Sequence, residues 1–366
     1  MRIVCFTHTL TSCWNHGNAH FLRGVLRDLI ARGHDVRGYE PEDGWSRQNL
    51  LREGGDSRFA ETYPTLAPHA HFHQPDLDAM LDGADLVLVH EWNEPALIAA
   101  IGRRRSQGGR FLLLFHDTHH RAVSDPEAVR RLDLSGYDGV LAFGATLAEV
   151  YRHAGWGDRV FVWHEAADTR LFRPPPAGTP REGIVWIGNW GDDERTEELH
   201  RFLLDPAAAT GLPLDVYGVR YPPEALAALE RAGGRYRGWL ANARVPEVFA
   251  RHLMTVHVPR RFYASQLPGI PTIRVFEALA CGIPLICAPW DDAEHLFQPG
   301  RDYLTARDTQ EMQARMRALA GDAGLRQALV EHGLATIRQR HTCAHRVDEL
   351  LAIADRLGLP QRQETA

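Results

Sequence analysis

Short apolar runs alternate with helix-spaced segments along this chain, and the alternation happens twice, on either side of one proline-rich break. A strand–helix–strand pattern of this kind folds as a parallel sheet with helices on both faces. In the first half the runs Ile3–Phe6, Val36–Tyr39, Leu86–Val89, Phe111–Phe115, Val140–Phe143 and Val160–Trp163 read as strands. A polar loop, His8 to His20, follows the first of them. Then Leu22, Val25, Leu26, Leu29 and Ile30 recur at helical spacing until Gly33 stops the helix. Residues 44–80 are polar and irregular. Residues 164–183 hold Pro174-Pro175-Pro176, Gly178 and Pro180, the strongest linker signal in the chain. Beyond it, Ile184–Ile187, Leu214–Tyr217, Met254–Val258 and Leu285–Ala288 read as strands. Glu194–Leu204, Pro223–Ala232 and Thr272–Cys281 read as helices, and the chain from Thr309 to the end as mostly helical. A length of 366 residues suits two such domains. The expected divisions are an α/β domain over 1–172, a linker over 173–183, a second α/β domain over 184–344 and a terminal helix over 345–366. Ligands of open parallel sheets sit beyond the carboxyl ends of the strands, so the expected site lies between the two domains.

Composition narrows the chemistry. All 41 basic residues are arginine, because the chain has no lysine. That excludes a lysine Schiff base and the lysine of a P-loop. Any phosphate must be met by arginine, backbone amides, polar side chains or a metal. The net charge of -6 and the lack of a basic stripe argue against nucleic acid as a partner. No apolar run approaches the roughly 18 residues of a membrane span, and Met1–Phe6 turns polar too early for a signal peptide. No stable membrane insertion and a cytoplasmic location are expected. Five cysteines, odd in number and without a CxxC pair, argue against a disulfide framework or a cysteine zinc site.

The sharpest segment is Pro271-Thr272-Ile273-Arg274-Val275-Phe276-Glu277-Ala278-Leu279-Ala280-Cys281-Gly282-Ile283-Pro284. Proline near its start and glycine at its end mark a capped helix. The helix N-terminus at Thr272 and Ile273 offers free amides and a positive dipole end, a seat for a diphosphate. Glu277, one and a half turns in, can accept hydrogen bonds from two ribose hydroxyls. A plain capped helix with one solvated glutamate is the simpler alternative.

Phe276–Ile286, FEALACGIPLI, resembles the donor-binding helix of GT-B-fold glycosyltransferases of the group-1 type. Other segments resemble that family in the order it requires. They are Gly33-His34-Asp35-Val36, Leu88-Val89-His90-Glu91-Trp92, Phe115-His116-Asp117, Ala167–Pro174, Gly238-Trp239-Leu240 and Asp292–Phe297 with Pro299-Gly300. The resemblance covers nearly the whole chain. Arg274–Glu277 and Gly17-Asn18-Ala19-His20 are similar to the CgeB-like, spore-maturation branch. It implies two Rossmann-like domains with parallel sheets facing a central cleft. The second binds a nucleotide-diphosphate sugar, the first binds a small-molecule or glycan acceptor, and the last helices return to the first domain. It implies no metal and no cofactor beyond the donor itself. Oligomeric state is not legible.

Two departures bear on the donor grip. Retaining members of the family usually carry a glutamate eight residues before the ribose-binding one, and that position here is Gly269. They also carry an arginine and a lysine after the first strand of the second domain. Here that stretch is Gly188-Asn189-Trp190-Gly191-Asp192-Asp193-Glu194-Arg195, with Asn189 in place of the arginine. Arg195, Arg260, Arg261 and Arg274 are the candidates to rebuild the phosphate clamp. Arginine suits that task because it binds phosphate through two parallel hydrogen bonds. Gly188 and Trp239 join them on the nucleotide side. Asn18 either caps the first helix or offers its loop to the donor.

Glycosyl transfer must stabilise charge on the departing diphosphate and take a proton from the acceptor hydroxyl. His116 matches a family position near the donor sugar, Asp117 beside it is a candidate base or orienter, Glu91 is an acceptor-side base if the enzyme inverts, and His20 lies in the loop before the first helix. Each histidine is equally open to a structural role. The resemblance favours retention of configuration. A nucleotide-sugar 2-epimerase and a non-catalytic nucleotide-sugar-binding protein are the rival readings. A dehydrogenase is disfavoured, since the loop after Ile3–Phe6 lacks GxGxxG.

Overall fold

Runs such as Leu86-Val87-Leu88-Val89 leave no polar face to turn to water, so they pair inside a sheet covered on both sides. The computed structural model describes residues 1–53, 58–191 and 193–359. Asp192 and the expected helical end beyond residue 359 lie outside the described residues. The first sheet holds β1 (Arg2–Phe6), β2 (Asp35–Glu40), β3 (Ala70–Phe72), β4 (Leu86–His90), β5 (Leu112–Asp117), β6 (Gly139–Ala142) and β7 (Val160–Val162). Its order is β3-β2-β1-β4-β5-β6-β7, with every pairing parallel. The second sheet holds β8 (Ile184–Ile187), β9 (Leu214–Tyr217), β10 (Gly234–Tyr236), β11 (Met254–His257), β12 (Leu285–Cys287) and β13 (Leu304–Thr305). It runs β10-β9-β8-β11-β12-β13, again wholly parallel.

Both sheets are Rossmann-like. The strand order reverses between β1 and β4 in the first and between β8 and β11 in the second, and a crevice opens at such a switch point. The core of the second sheet packs Ile184, Trp186, Leu214, Val256 and Ile286 against Met312, Met316 and Leu319 of the helix Thr309–Gly321.

Three strands escaped the sequence pattern. β3, β10 and β13 span only two or three residues and lie at sheet edges, where one flank needs no apolar partner. β3 falls inside the histidine-rich stretch His69–His73, in the region expected to be irregular.

The chain divides into two units. One contains Met1–Cys13, Leu22–His164 and the chain from Cys343; the other contains Trp14–Phe21 and Glu165–Thr342. Trp14–Phe21, expected within the first 172 residues as one piece, thus groups with the second unit. The helix Cys343–Arg356 groups with the first. There the Trp163 indole N–H donates to the Arg346 carbonyl at 2.8 Å, and Arg32 meets Asp348 and the Ala344 carbonyl. All five cysteines are buried and none is in a disulfide. No helix among the described residues is long and apolar enough to cross a membrane.

Candidate functional site

The switch point of the second sheet gathers arginine. The chain leaves β8 through Gly188 and Asn189, and leaves β11 through Val258, Pro259 and Arg260. Arg195 reaches back from the far end of the first loop. Its guanidinium donates to the Val258 carbonyl at 3.1 Å, to the Asn189 carbonyl at 2.8 Å and to Asn189 Oδ1 at 2.7 Å. It also lies over the Trp186 ring at 5.1 Å. Oxygen dipoles and a π-face hold it; among the described residues it has no hydrogen-bonded carboxylate, although the charge of Glu194 acts on it. Burial lowers its pKa to about 9, helped by the charges of Arg260 and Arg274. Arg260 shares the Asn189 Oδ1 acceptor at 3.2 Å and pairs with Glu194. Gly191, at φ +101, is required here, because a Cβ would lie 2.6 Å from Arg195 Cγ.

Glu277 on the helix Ile273–Ala280 is 0% exposed, not a solvated glutamate. Its Oε1 accepts from His20 Nδ1 and from Asn242 Nδ2, both at 2.8 Å, and its Oε2 pairs with Arg274. Burial pushes the carboxyl up, but Arg274, His20 and Asn242 outweigh it, and the pKa lies below the usual range. A ribose would have to displace one of these partners to use Glu277. His20 belongs to this network. Its Nε2 accepts the Asp168 N–H at 2.7 Å, which leaves Nδ1 as the donor to Glu277, and its ring stacks on Phe172 at 3.7 Å. Both ring nitrogens are committed, so His20 is an internal clamp of the second unit, apart from His116 and Asp117.

The other expected donor residues scatter more. Gly188 donates to the Tyr217 carbonyl, and its own carbonyl accepts from Tyr221. Asn189 Nδ2 donates to Asn15 at 2.8 Å, so the Asn18-bearing segment docks beside the β8 loop. Asn18 itself sits in the turn directly before the helix Ala19–Ala31. Arg261 turns away and pairs with Glu198 on the surface. Trp239 follows β10 at the sheet edge, with a buried indole N–H that lacks a partner among the described residues. Thr272 Oγ1 meets His257 Nε2 at 3.2 Å. The Ile273 N–H, expected to face a diphosphate, is directed at the carboxyl of Glu165. Gly269 lies at φ +90 with its N–H on the Asp291 carbonyl, a conformation a glutamate would adopt only under strain.

In the first unit, Glu91 directly follows β4 and Asp117 ends β5, and each is 1% exposed. Glu91 Oε1 accepts from the Thr118 N–H at 2.9 Å, and Oε2 pairs with Arg121 at 3.0 Å. Arg121 in turn covers the Trp92 ring at 4.0 Å. Asp117 accepts from Tyr151 Oη at 2.6 Å and from the His119 N–H at 3.0 Å. Burial, followed by the Asp117 charge, pushes Glu91 well above the carboxylate range, and burial also raises Asp117. His116 is buried against Trp163 and His90, and desolvation holds it neutral with a pKa of about 3. Both carboxylates thus use their oxygens internally, so this arrangement suits a rigid support better than a working base.

The raised carboxyls predict a pH response. Raised folded-state values stabilise the fold below the unfolded carboxyl pKa, and that stability is lost as pH rises through the folded value. His116 acts in the opposite sense, and its contribution is complete above its unfolded value near 6.5. Once the His116 contribution is complete, the carboxyl contribution is expected to lower the melting temperature as pH rises towards the raised folded-state values. Glu91→Gln leaves one carboxyl beside Arg121 and is expected to flatten the slope in calorimetric scans. A slope identical to wild type would remove Glu91 as a source of the pH response.

Glu165, His257, Asn242, Arg121 and Tyr151 were not among the residues expected from sequence. Only His257, at a strand end, carried a positional signal.

The comparisons with known proteins agree with this architecture. Residues 195–352 match a family model described as glycosyl transferase-like. No curated protein sequence matches the chain. Among solved structures, HepE of Anabaena in complex with UDP and glucose superposes with a TM-score of 0.68 at 14% identity, over 96% of this chain and 99% of that one. Sucrose-phosphate synthase of Thermosynechococcus elongatus gives 0.66 at 14% identity, over 97% and 98%. The DNA-modifying β-glucosyltransferase, solved with and without uridine diphosphoglucose, gives 0.61 at 13% identity, over 98% and 100%. These similarities establish the two-domain GT-B fold, and residues 195–352 form a glycosyl transferase-like segment of it.

Proposed function

We propose that the protein is a glycosyltransferase that takes its sugar from a nucleoside-diphosphate sugar, with UDP as the nucleotide. Arg195 carries this reading. Three guanidiniums, Arg195, Arg260 and Arg274, meet only two carboxylates, Glu194 and Glu277, and Arg195 is hydrogen-bonded to neither, a charge arrangement completed by an anion. At the switch point of a parallel sheet that anion is a diphosphate. The arginines stabilise the charge that builds on the leaving group, as a metal ion would elsewhere. Trp239 at the β10 edge takes the base, and Glu277 acts as a positioning residue for Arg274. UDP is chosen because two of the superposing structures were solved with UDP or UDP-glucose.

The acceptor, a small molecule or glycan, is assigned to the first unit. Retention of configuration is the stereochemistry we propose. In retention the leaving phosphate can take the acceptor proton. The engaged oxygens of Glu91 and Asp117 leave neither in position as a base. The CgeB-like branch remains the sequence resemblance behind this reading.

A thermal-shift series with UDP, GDP, dTDP, ADP and CMP tests it. A ligand bound only by the folded state raises the melting temperature. UDP is expected to give the largest rise, and UDP-glucose incubated with an acceptor is expected to release UDP. No rise with any nucleotide on folded protein would overturn the reading. UDP release that needs no acceptor would favour the epimerase.

A further inference from the structure

Two uncharged polar side chains flank the start of the helix Ile273–Ala280, and the diphosphate has no use for either. His257 ends β11 and is 3% exposed; its Nε2 meets Thr272, and its Nδ1 has no hydrogen-bond partner among the described residues. Glu165 opens the second unit and is 2% exposed; it receives the Ile273 N–H, and its Oε1 has no partner among the described residues. Burial, then the charges of Arg195 and Arg274, holds the imidazole neutral with a pKa of about 3. Burial, then the charge of Glu277, holds Glu165 as a carboxylic acid. A buried polar atom left unpaired costs about 1–3 kcal/mol, which a ligand group can recover.

A second phosphate is a poor fit, because Glu277 already repels negative charge at Glu165. A hydroxyl fits, because it both donates and accepts, and an acid and a neutral imidazole do the same. The strand order β10-β9-β8-β11-β12-β13 sets the direction of the ligand. Trp239 follows β10, Arg195 and Arg260 gather at β8 and β11, and His257 continues towards β12, where its ring meets Trp290 edge-on at 6.0 Å. Base, diphosphate and sugar then follow one another along the carboxyl edge.

We propose that Glu165 and His257 form the glycosyl subsite, each bonding a hydroxyl of the transferred sugar. The proposal rests on the donor reading above and goes beyond it by naming the residues that recognise the sugar. Glu165 thereby supplies a carboxyl group that Gly269 lacks.

Titration calorimetry separates the sugar from the nucleotide. Wild type, Glu165→Leu, Glu165→Gln and His257→Leu are each titrated with UDP, UDP-glucose, UDP-galactose and UDP-N-acetylglucosamine. UDP affinity is expected to stay within about twofold in every variant, which also reports an intact fold. The tightest UDP-sugar is expected to weaken about tenfold or more in both leucine variants, and Glu165→Gln is expected to retain it, because an amide also donates and accepts. Equal weakening of UDP and UDP-sugar would place these residues at the nucleotide and overturn the proposal, as would no weakening at all. If wild type binds neither UDP nor any UDP-sugar, the donor reading itself fails.

Discussion

Arg195→Ala is expected to weaken UDP binding by about a hundredfold while leaving the ligand-free protein at least as stable as wild type. A charge-assisted hydrogen bond contributes roughly 1.5–3 kcal/mol, and 3 kcal/mol is about 150-fold in affinity. In the free protein the same guanidinium is a liability: it is desolvated, feels the charges of Arg260 and Arg274 with only Glu194 set against them, and makes no hydrogen bond or ion pair to a carboxylate among the described residues. Removing it relieves repulsion and frees the Asn189 and Val258 oxygens to take water. The opposite signs of the two effects distinguish a ligand-binding charge from a structural one, for which both quantities would fall together. Calorimetric titration and thermal unfolding of the same variant measure them. Unchanged UDP affinity would remove Arg195 from the site.

Glu277→Ala is expected to act on stability first. Glu277 is wholly buried and satisfies His20, Asn242 and Arg274 together. Removing one partner of a buried ion pair costs about 3–5 kcal/mol, because the other charge stays behind uncompensated. For a unit of this size that lowers the melting temperature by on the order of 10 °C. Glu277→Gln keeps the volume and the His20 contact but not the charge, so an intermediate loss is expected. A melting temperature within about 2 °C of wild type would mean that Glu277 is a ligand group with little structural role. Loss of nucleotide binding in the alanine variant does not by itself show a ribose contact, since Arg274 loses its anchor at the same time.

The two α/β halves were legible because their central strands are apolar throughout, as in Leu86–Val89 and Ile184–Ile187. The edge strands β3, β10 and β13 were not, since a short strand with one open flank carries no pattern. Within the site, Arg195, Arg260 and Arg274 were named from their places after strands and at a helix start. What each does depended on distances. Arg261 has the same chemistry one residue along, yet it faces Glu198 on the surface. His20 and Glu277, 257 residues apart, are joined at 2.8 Å, and no local pattern announces that pair.

Sequence alone determined the central strands and the helices between them, and their order, because hydrophobic periodicity and glycine or proline breaks act over a few residues. It also determined that phosphate must be met without lysine. Tertiary structure alone decided which way each carboxyl is shifted. Glu91, Asp117, Glu165 and Glu277 carry the same kind of group. Burial shifts the first three upward, and of the four only Glu277 is held below the usual range by its partners. That difference rests on desolvation and on groups brought close by the fold, neither of which exists in an extended chain.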